Sequence, residues 1–205
     1  GLSKEPFHIT PDPDFLYLSS SHKEALASII YGIEKRKGFI AVFGEVGTGK
    51  TTILRSVLEN IDGKKIKPIY LFNVAISFKK LLESILRELG VGLVSEDESK
   101  MVYQLHQVLI KEYRQKNNVV LFIDEAQNTP TETLENLRLL SNLETNKDKL
   151  IQIVLSGQPE LEDKLGEYRM RQLNQRIAIR TTIRPFSKKE SLAYIDHRIA
   201  KSDGT

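Results

Sequence analysis

The sequence predicts an α/β fold in which a parallel β-sheet is covered by helices on both faces. Five short apolar segments have the length of strands, and 39–43 and 119–123 are the clearest of them. Segments with apolar residues at helical spacing separate these strands. Strands that are apolar along their whole length, with helices between them, are typical of a parallel sheet that is buried on both sides.

The predicted elements alternate along the chain. Strands are expected at 39–43, 66–74, 119–123, 150–155 and 177–183. Helices are expected at 21–37, 50–60, 78–89, 99–116, 131–144, 160–166 and 190–201. Ser21 is the expected N-cap of the first helix, with Glu24 completing a capping box. The break at Pro185 divides the chain into a core at 1–186, beginning with an extended segment at 1–20, and the start of a second unit at 187–205.

The composition is that of an ordinary globular protein and excludes several classes of site. The chain has 205 residues, which is enough for one domain with a full core. It contains no cysteine, so disulfides and thiolate metal sites are excluded. The net charge of +3 is too small to indicate a nucleic-acid partner, and the basic residues do not gather in one segment. No stretch is long enough to span a bilayer, and no secretory signal is visible.

Residues 44–51 match the pattern G-x-x-x-x-G-K-T between a predicted strand and a predicted helix. The glycines let successive backbone N–H groups point inward, and the helix N-terminus adds positive partial charge, so the segment can cradle phosphates. Lys50 should reach the β- and γ-phosphates, Thr51 should ligate Mg²⁺, and Thr52 can contact the α-phosphate. The expected nucleotide-binding residues are Gly44, Glu45, Val46, Gly47, Thr48, Gly49, Lys50, Thr51 and Thr52, together with Gln158 after the strand 150–155.

A carboxylate pair, Asp124 and Glu125, follows the apolar strand 119–123. The carboxyl ends of parallel strands form the ligand crevice of an open α/β sheet. Asp124 can hold Mg²⁺, through water, and Glu125 can orient and deprotonate an attacking water. The pair favours ATP hydrolysis over phosphoryl transfer to a substrate hydroxyl. The alternative is that Glu125 only caps the following turn.

Four further polar residues lie at strand ends. Asn73 ends the strand 66–74 and could hold Glu125 inactive. An equally good interpretation is that Asn73 is only a polar residue at the end of a strand. Ser156 and Gln158 follow the strand 150–155, and the sequence does not choose which of them faces the γ-phosphate. Arg176 directly precedes the strand 177–183, a position that makes it more than an ordinary surface arginine.

The order of these motifs resembles the AAA+ ATPase core and, more narrowly, the ExeA/GspA-type ATPases of bacterial secretion and pilus-assembly systems. The matching stretches are 7–19, 38–52, 124–127, 156–161, 173–177 and 194–198. They cover essentially the whole chain. The first and fourth are the specific ones, since the phosphate-binding motif at 44–51, the P-loop, is shared by unrelated NTPases.

The resemblance implies a five-stranded parallel sheet with the P-loop strand central, and a helical lid that begins at 187 and is truncated at residue 205. It implies a ring-type homo-oligomer with ATP at subunit interfaces, where Arg176 would act as the arginine finger. Phe7 and Ile9 would line the adenine pocket.

The function expected on these grounds is Mg²⁺-dependent ATP hydrolysis that drives assembly or remodelling of a bacterial secretion or pilus system. The catalytic residues would be Glu125, Lys50, Arg176 and Asn73, and the metal ligands Thr51 and Asp124. The partners would be copies of the chain and envelope proteins, at the cytoplasmic side, with DNA not expected. Two alternatives stay open: a AAA+ regulator of DNA transposition, and a nucleotide-gated scaffold with negligible turnover.

Overall fold

A computed structural model describes residues 17–60 and 65–202 of the chain. Its strands are β1 Phe39–Gly44, β2 Ile66–Phe72, β3 Asn118–Asp124, β4 Ile151–Gly157 and β5 Ile177–Ile183. They form one parallel five-stranded sheet in the order β2-β3-β4-β1-β5. The predicted α/β class and parallel sheet are confirmed.

Eight α-helices connect and cover these strands in the described part of the chain. They are α1 Ser20–Glu34, α2 Lys50–Asn60, α3 Phe78–Glu88, α4 Glu98–Arg114, α5 Thr131–Leu140, α6 Pro159–Gly166, α7 Arg171–Asn174 and α8 Lys188–Ser202. Single 3₁₀ turns follow β3 and α6, at Ala126–Asn128 and Tyr168–Met170. The predicted elements occur in the predicted order with shifted ends. Within the described residues, no helix is both long and apolar enough to cross a membrane.

The position of the P-loop strand differs from the expectation. The middle strand of the sheet is β4, and β1 lies between β4 and β5. The expectation of a central β1 is therefore wrong, because only β5 lies beyond β1 on one side while three strands lie on the other. β1 is still buried along its whole length, whereas exposed residues of β5 alternate with half-buried or buried ones, as in an edge strand.

The predicted capping box at Ser21 and Glu24 is also wrong. Helix α1 begins at Ser20, and its N-cap position is Ser19, two residues before Ser21, with no side-chain cap bond. The serine hydroxyls have other partners: Ser19 Oγ lies 2.6 Å from Nδ1 of His22, and Ser21 Oγ accepts from the backbone N–H of Arg184 at 3.2 Å. The bond from Arg184 ties the start of α1 to the residues that precede α8.

The core consists of two apolar layers, one on each face of the sheet. Because side chains alternate along a strand, Ile40 and Val42 pack with α1 and α2 on one face, while Phe39 and Phe43 pack with α3 to α6 on the other. β3 is likewise buried at every position. The ends of β1 and β3 are therefore held rigidly, side by side with β4, at one end of the sheet.

Segment 1–16 lies outside the described residues. The expected contributions of Phe7 and Ile9 to an adenine pocket, and the extended conformation expected there, fall in that segment.

Candidate functional site

The loop between β1 and α2 contains two glycines that the backbone requires. Gly47 and Gly49 have φ of 77° and 85°, the left-handed region that L side chains rarely adopt. A Cβ on Gly49 would also lie 3.2 Å from Nε2 of His22. The loop can therefore adopt this backbone conformation next to the start of α2 only with glycine at these positions.

Lys50, at the start of α2, folds back onto this loop. Its side chain is buried, and Nζ donates to the carbonyl oxygens of Gly44 at 2.8 Å and Glu45 at 3.0 Å. Among residues 17–60 and 65–202, no carboxylate lies within ion-pair distance of Lys50. A buried cation that is balanced only by carbonyl dipoles favours an incoming anion, and the N-terminus of α2 points its N–H groups the same way.

The other predicted nucleotide-binding residues lie along the same loop. Thr48 Oγ1 donates to the carbonyl oxygen of Glu45 at 2.8 Å, which closes a tight turn. Val46 is 75% exposed at the tip, and Thr52 is half-buried in the first turn of α2. Of these side chains, Thr48 therefore turns back onto the loop and Val46 faces solvent.

Thr51 and Asp124 join the two halves of the site. Thr51 Oγ1 donates to Oδ2 of Asp124 at 2.7 Å, although the two residues are separated by 73 positions in sequence. Asp124 is fully buried at the end of β3. Its Oδ1 accepts from the backbone N–H of Glu125 at 3.0 Å.

Tyr70 on β2 is a partner of Asp124 that the sequence reasoning missed. Its hydroxyl donates to Asp124 Oδ2 at 2.7 Å. Burial, together with this hydrogen bond, raises the pKa of Tyr70 far above its usual range, so the hydroxyl keeps its proton. The only sequence signal is that Tyr70 lies within the predicted strand 66–74.

Oxygen ligands suited to Mg²⁺ are present. Mg²⁺ in nucleotide sites is usually held by one or two carboxylates, waters and the phosphates themselves. The Thr51 hydroxyl and the Asp124 carboxylate fit this description, and they already lie within hydrogen-bond distance of each other. In the described ranges, no group of three or more acidic or histidine side chains could hold a metal ion by itself. A metal would therefore depend on the nucleotide for part of its coordination.

Glu125 is fixed by two glutamine side chains. Its backbone is left-handed, with φ of 52°, a strained conformation of the kind found at functional sites. Its Oε2 accepts from Nε2 of Gln127 at 2.5 Å and from Nε2 of Gln158 at 3.1 Å. The backbone N–H of Gln158 in turn donates to Oε1 of Gln127 at 3.1 Å. A closed triangle thus links the ends of β3 and β4, and Gln127 is the member that the sequence reasoning did not single out.

Asn73 lies next to this site but makes a different contact. Its backbone N–H donates to the carbonyl oxygen of Asp124 at 3.2 Å, and its Oδ1 accepts from Nδ2 of Asn128 at 3.0 Å. The hydrogen bonds to the Glu125 carboxylate come from the two glutamines instead. Restraint of Glu125 by Asn73 stays a prediction.

Ser156 and Gln158 differ in their surroundings. Ser156 is the partner of Val42 in the β1–β4 pairing and is fully buried, and its Oγ has no hydrogen-bond partner among the described residues. Gln158 is half-buried and contacts Glu125. Each could respond to the γ-phosphate, Ser156 through an unused hydroxyl and Gln158 through the carboxylate that it holds.

Arg176 lies at the opposite end of the sheet. It precedes Ile177, which pairs with Phe39, the first residue of β1. The P-loop follows the last residue of β1, so the length of that strand, about 17 Å, separates the two. The guanidinium donates to Oγ of Ser141 and, at 2.7 Å, to Oδ1 of Asn142, at the end of α5. Arg176 therefore does not belong to the phosphate site of its own chain.

His22 on α1 is a further residue that sequence reasoning missed. It is 2% exposed, and burial lowers its pKa, which favours the neutral ring. Nε2 lies 2.9 Å from the carbonyl oxygen of Thr48, so it carries the hydrogen, and Nδ1 accepts from Ser19 Oγ at 2.6 Å. No sequence pattern separates His22 from a surface histidine, because its partner in the P-loop is 26 residues away.

A small cavity of about 130 Å³ opens beside His22. The P-loop forms one wall, and the segment between β5 and α8 forms the other, with Phe186 packed 5.2 Å from the His22 ring. The lining residues are His22, Val46, Gly47, Thr48, Arg184, Pro185 and Phe186. The cavity adjoins the phosphate cradle, because Val46, Gly47 and Thr48 of that loop line it.

Comparison with known proteins agrees with this geometry. Residues 33–165 match the model of the AAA domain family. General secretion pathway protein A of Aeromonas hydrophila is 40% identical over 201 residues, which are 97% of this chain and 36% of that protein. The chain thus spans about a third of the length of this relative.

Two solved structures share the fold at low sequence identity. The ORC2 protein of Aeropyrum pernix, in ADPNP-ADP complexes, superposes with a TM-score of 0.67 at 17% identity, over 90% of this chain and 52% of that chain. Cdc6p of Pyrobaculum aerophilum gives 0.68 at 19% identity, over 93% and 54%. These likenesses concern the fold alone, whereas the family match and the curated relative also cover the site. The chain therefore belongs to the AAA family of ATPases, and over nearly its whole length it is similar to a general secretion pathway protein.

Proposed function

We propose that this chain binds ATP together with Mg²⁺ and hydrolyses it with Glu125 as the base. The observation that carries the proposal is the 2.7 Å hydrogen bond between Thr51 and Asp124. It brings the phosphate cradle and the carboxylate pair into one site, with Glu125 directly beside the metal ligand. A mere structural turn after β3 would not need a buried carboxylate facing a P-loop threonine.

The binding step uses groups that already point at the crevice. Lys50 exchanges its bonds with the Gly44 and Glu45 carbonyls for bonds with the β- and γ-phosphates, a change from neutral to charged acceptors that strengthens each hydrogen bond. The backbone N–H groups of the loop, with Thr52 at the α-phosphate, complete the cradle. The cavity beside His22 takes the base side of the nucleotide.

The hydrolytic step depends on the position of Glu125. Thr51 and, through water, Asp124 would hold Mg²⁺, which would supply charge neutralisation at the phosphate oxygens. Gln127 and Gln158 hold Oε2 of Glu125, so the other carboxylate oxygen is left to orient a water and take its proton. Gln158, or the unpartnered hydroxyl of Ser156, would sense the γ-phosphate.

Full activity, in this proposal, needs a second copy of the chain. Arg176 is about 17 Å from its own P-loop and would serve the ATP of a neighbour in a ring. The core at 1–186 would form the ring, the segment 1–20 would close the adenine side, and 187–205 would begin the lid.

The biological role that we infer follows the relative. General secretion pathway protein A is named for secretion. We infer that the chain uses ATP hydrolysis to assemble or remodel envelope proteins of a secretion or pilus system from the cytoplasmic side.

Equilibrium binding of a fluorescent ATP analogue tests the proposal. Lys50→Ala should abolish binding, because the buried cation of the cradle is lost. Lys111→Ala, which removes an exposed lysine on α4, is the matched control and should bind as the unsubstituted chain does. Unchanged affinity in Lys50→Ala would contradict the assignment of the phosphate site.

A further inference from the structure

Tyr70 is held in place more firmly than a strand-end tyrosine needs to be. Its ring stacks on that of Phe122, its neighbour in the β2–β3 pairing, with 6.3 Å between the centroids and 28° between the planes. This stacking directs the hydroxyl along the sheet to Asp124, where it donates to Oδ2 at 2.7 Å.

The Asp124 carboxylate accepts three hydrogen bonds. Oδ1 accepts from the Glu125 backbone, and Oδ2 accepts from the hydroxyls of Thr51 and Tyr70. The donors differ in freedom. The Glu125 N–H belongs to the end of β3, and the Tyr70 hydroxyl is fixed by ring stacking, but the Thr51 hydroxyl can rotate. Once Thr51 turns its oxygen toward a metal, two donors remain, one on each carboxylate oxygen.

Two fixed donors on different oxygens define the plane of a carboxylate. A carboxylate with one fixed donor can still turn about its χ2 torsion, which is broad for aspartate. Outer-shell hydrogen bonds of this kind orient metal ligands, and their removal typically costs 10–100-fold in metal affinity.

We propose that Tyr70 is a positioning residue of the Mg²⁺ site, whose hydroxyl fixes the Asp124 carboxylate so that Oδ2 faces the metal and its waters. The inference rests on the proposed function, because it concerns the metal that would accompany ATP. It adds a residue from β2, a strand that supplies none of the predicted metal ligands.

The test is Tyr70→Phe, which keeps the ring on Phe122 and removes only the hydroxyl. Binding of a fluorescent ATP analogue is titrated with MgCl₂, and it is also measured in EDTA. The half-saturating Mg²⁺ concentration should rise about tenfold. The affinity in EDTA should not change, because no contact with the phosphate cradle is lost.

Tyr113→Phe is the matched control. Tyr113 also donates its hydroxyl to an aspartate, Asp148, at 2.7 Å, but that pair lies at the end of α4 and outside the site. Its Mg²⁺ requirement should equal that of the unsubstituted chain. Thermal melting of both variants reports any general loss of stability.

Two results in Tyr70→Phe would overturn the inference alone. One is an unchanged Mg²⁺ requirement, and the other is an equal loss of affinity with and without Mg²⁺, which would mean a structural role. Nucleotide binding that is independent of Mg²⁺ in the unsubstituted chain would overturn the proposed metal site and the inference together.

Discussion

The two ends of the sheet hold polar residues in different ways. At the carboxyl end, where β1, β3 and β4 finish, Lys50 and Thr51 make hydrogen bonds that a phosphate or a metal can replace. At the amino end, Asn118 Nδ2 donates to the Ile33 carbonyl at 2.8 Å, and Gln152 Oε1 accepts from the Gly38 N–H at 2.8 Å. These bonds join neighbouring elements and leave no role for a ligand.

Arg176 is the exception at the amino end. It is bound to the end of α5 by side-chain oxygens, yet one of its partners, Asn142, is exposed. The phosphate site is complete at one end of the sheet, and Arg176 lies at the other end. We therefore expect that a single chain binds nucleotide and that two chains are needed to hydrolyse it.

The largest expected effect comes from Arg176→Ala. In assembled chains we expect hydrolysis to fall by about 10³–10⁵-fold, the range of known arginine fingers. In dilute, monomeric chains no change is expected. Arg171→Ala is the control, because Arg171 is exposed and its guanidinium stacks on Tyr168, 4.4 Å from the ring centre. Loss of activity in the monomer would instead place the role of Arg176 within one chain.

Glu125→Gln should have the next largest effect. Loss of the base should lower turnover by about 10²–10⁴-fold while nucleotide affinity is kept, since the cradle is untouched. Single-turnover hydrolysis and equilibrium binding measure the two quantities. Turnover near that of the unsubstituted chain would remove the catalytic role of Glu125.

Gln127→Ala should act more weakly at the same end of the sheet. Hydrogen bonds to charged groups contribute about 1.5–3 kcal/mol, so we expect hydrolysis to fall about tenfold or more without loss of binding. Asn128→Ala, one residue on, is the control and removes only the contact with Asn73. Faster hydrolysis in Asn128→Ala would instead favour restraint of Glu125 through Asn73.

These residues show how far the sequence alone reaches. Gly44, Lys50, Thr51 and Asp124 could be predicted because a contiguous motif and an apolar strand followed by two acids each carry their own context. The parallel sheet followed from apolar strands that alternate with helices. All of these features are local in sequence.

The missed features depend on contacts between distant segments. Tyr70, Gln127 and His22 gain their roles from partners on other elements, at separations that no short pattern encodes. The capping box at Ser21 failed for the same reason, because Arg184 binds its hydroxyl from across the chain. The order of strands is likewise set by how the elements pack.

The smallest expected effect is a pH dependence of stability from His22. Because burial lowers its pKa, the folded chain binds this proton less readily than the unfolded chain, whose histidine titrates near 6.5. This contribution to stability is complete above pH 6.5 and is lost as the pH falls below it.

Between pH 7.5 and 5.5, the unsubstituted chain should therefore lose a few degrees more in Tm than His22→Gln, whose amide can still donate to Thr48. His106→Gln, on α4, is the control and should follow the unsubstituted chain. If the unsubstituted chain and His22→Gln show the same pH dependence of Tm, the buried ring is not its cause.

Mixing two inactive variants tests the division between one chain and two most directly. Chains with Lys50→Ala cannot bind nucleotide but keep Arg176, and chains with Arg176→Ala bind nucleotide but lack the arginine. At concentrations where chains assemble, we expect the mixture to hydrolyse ATP well above the summed rates of the separate variants. A mixture that assembles yet shows no more than that sum would contradict hydrolysis by two chains together.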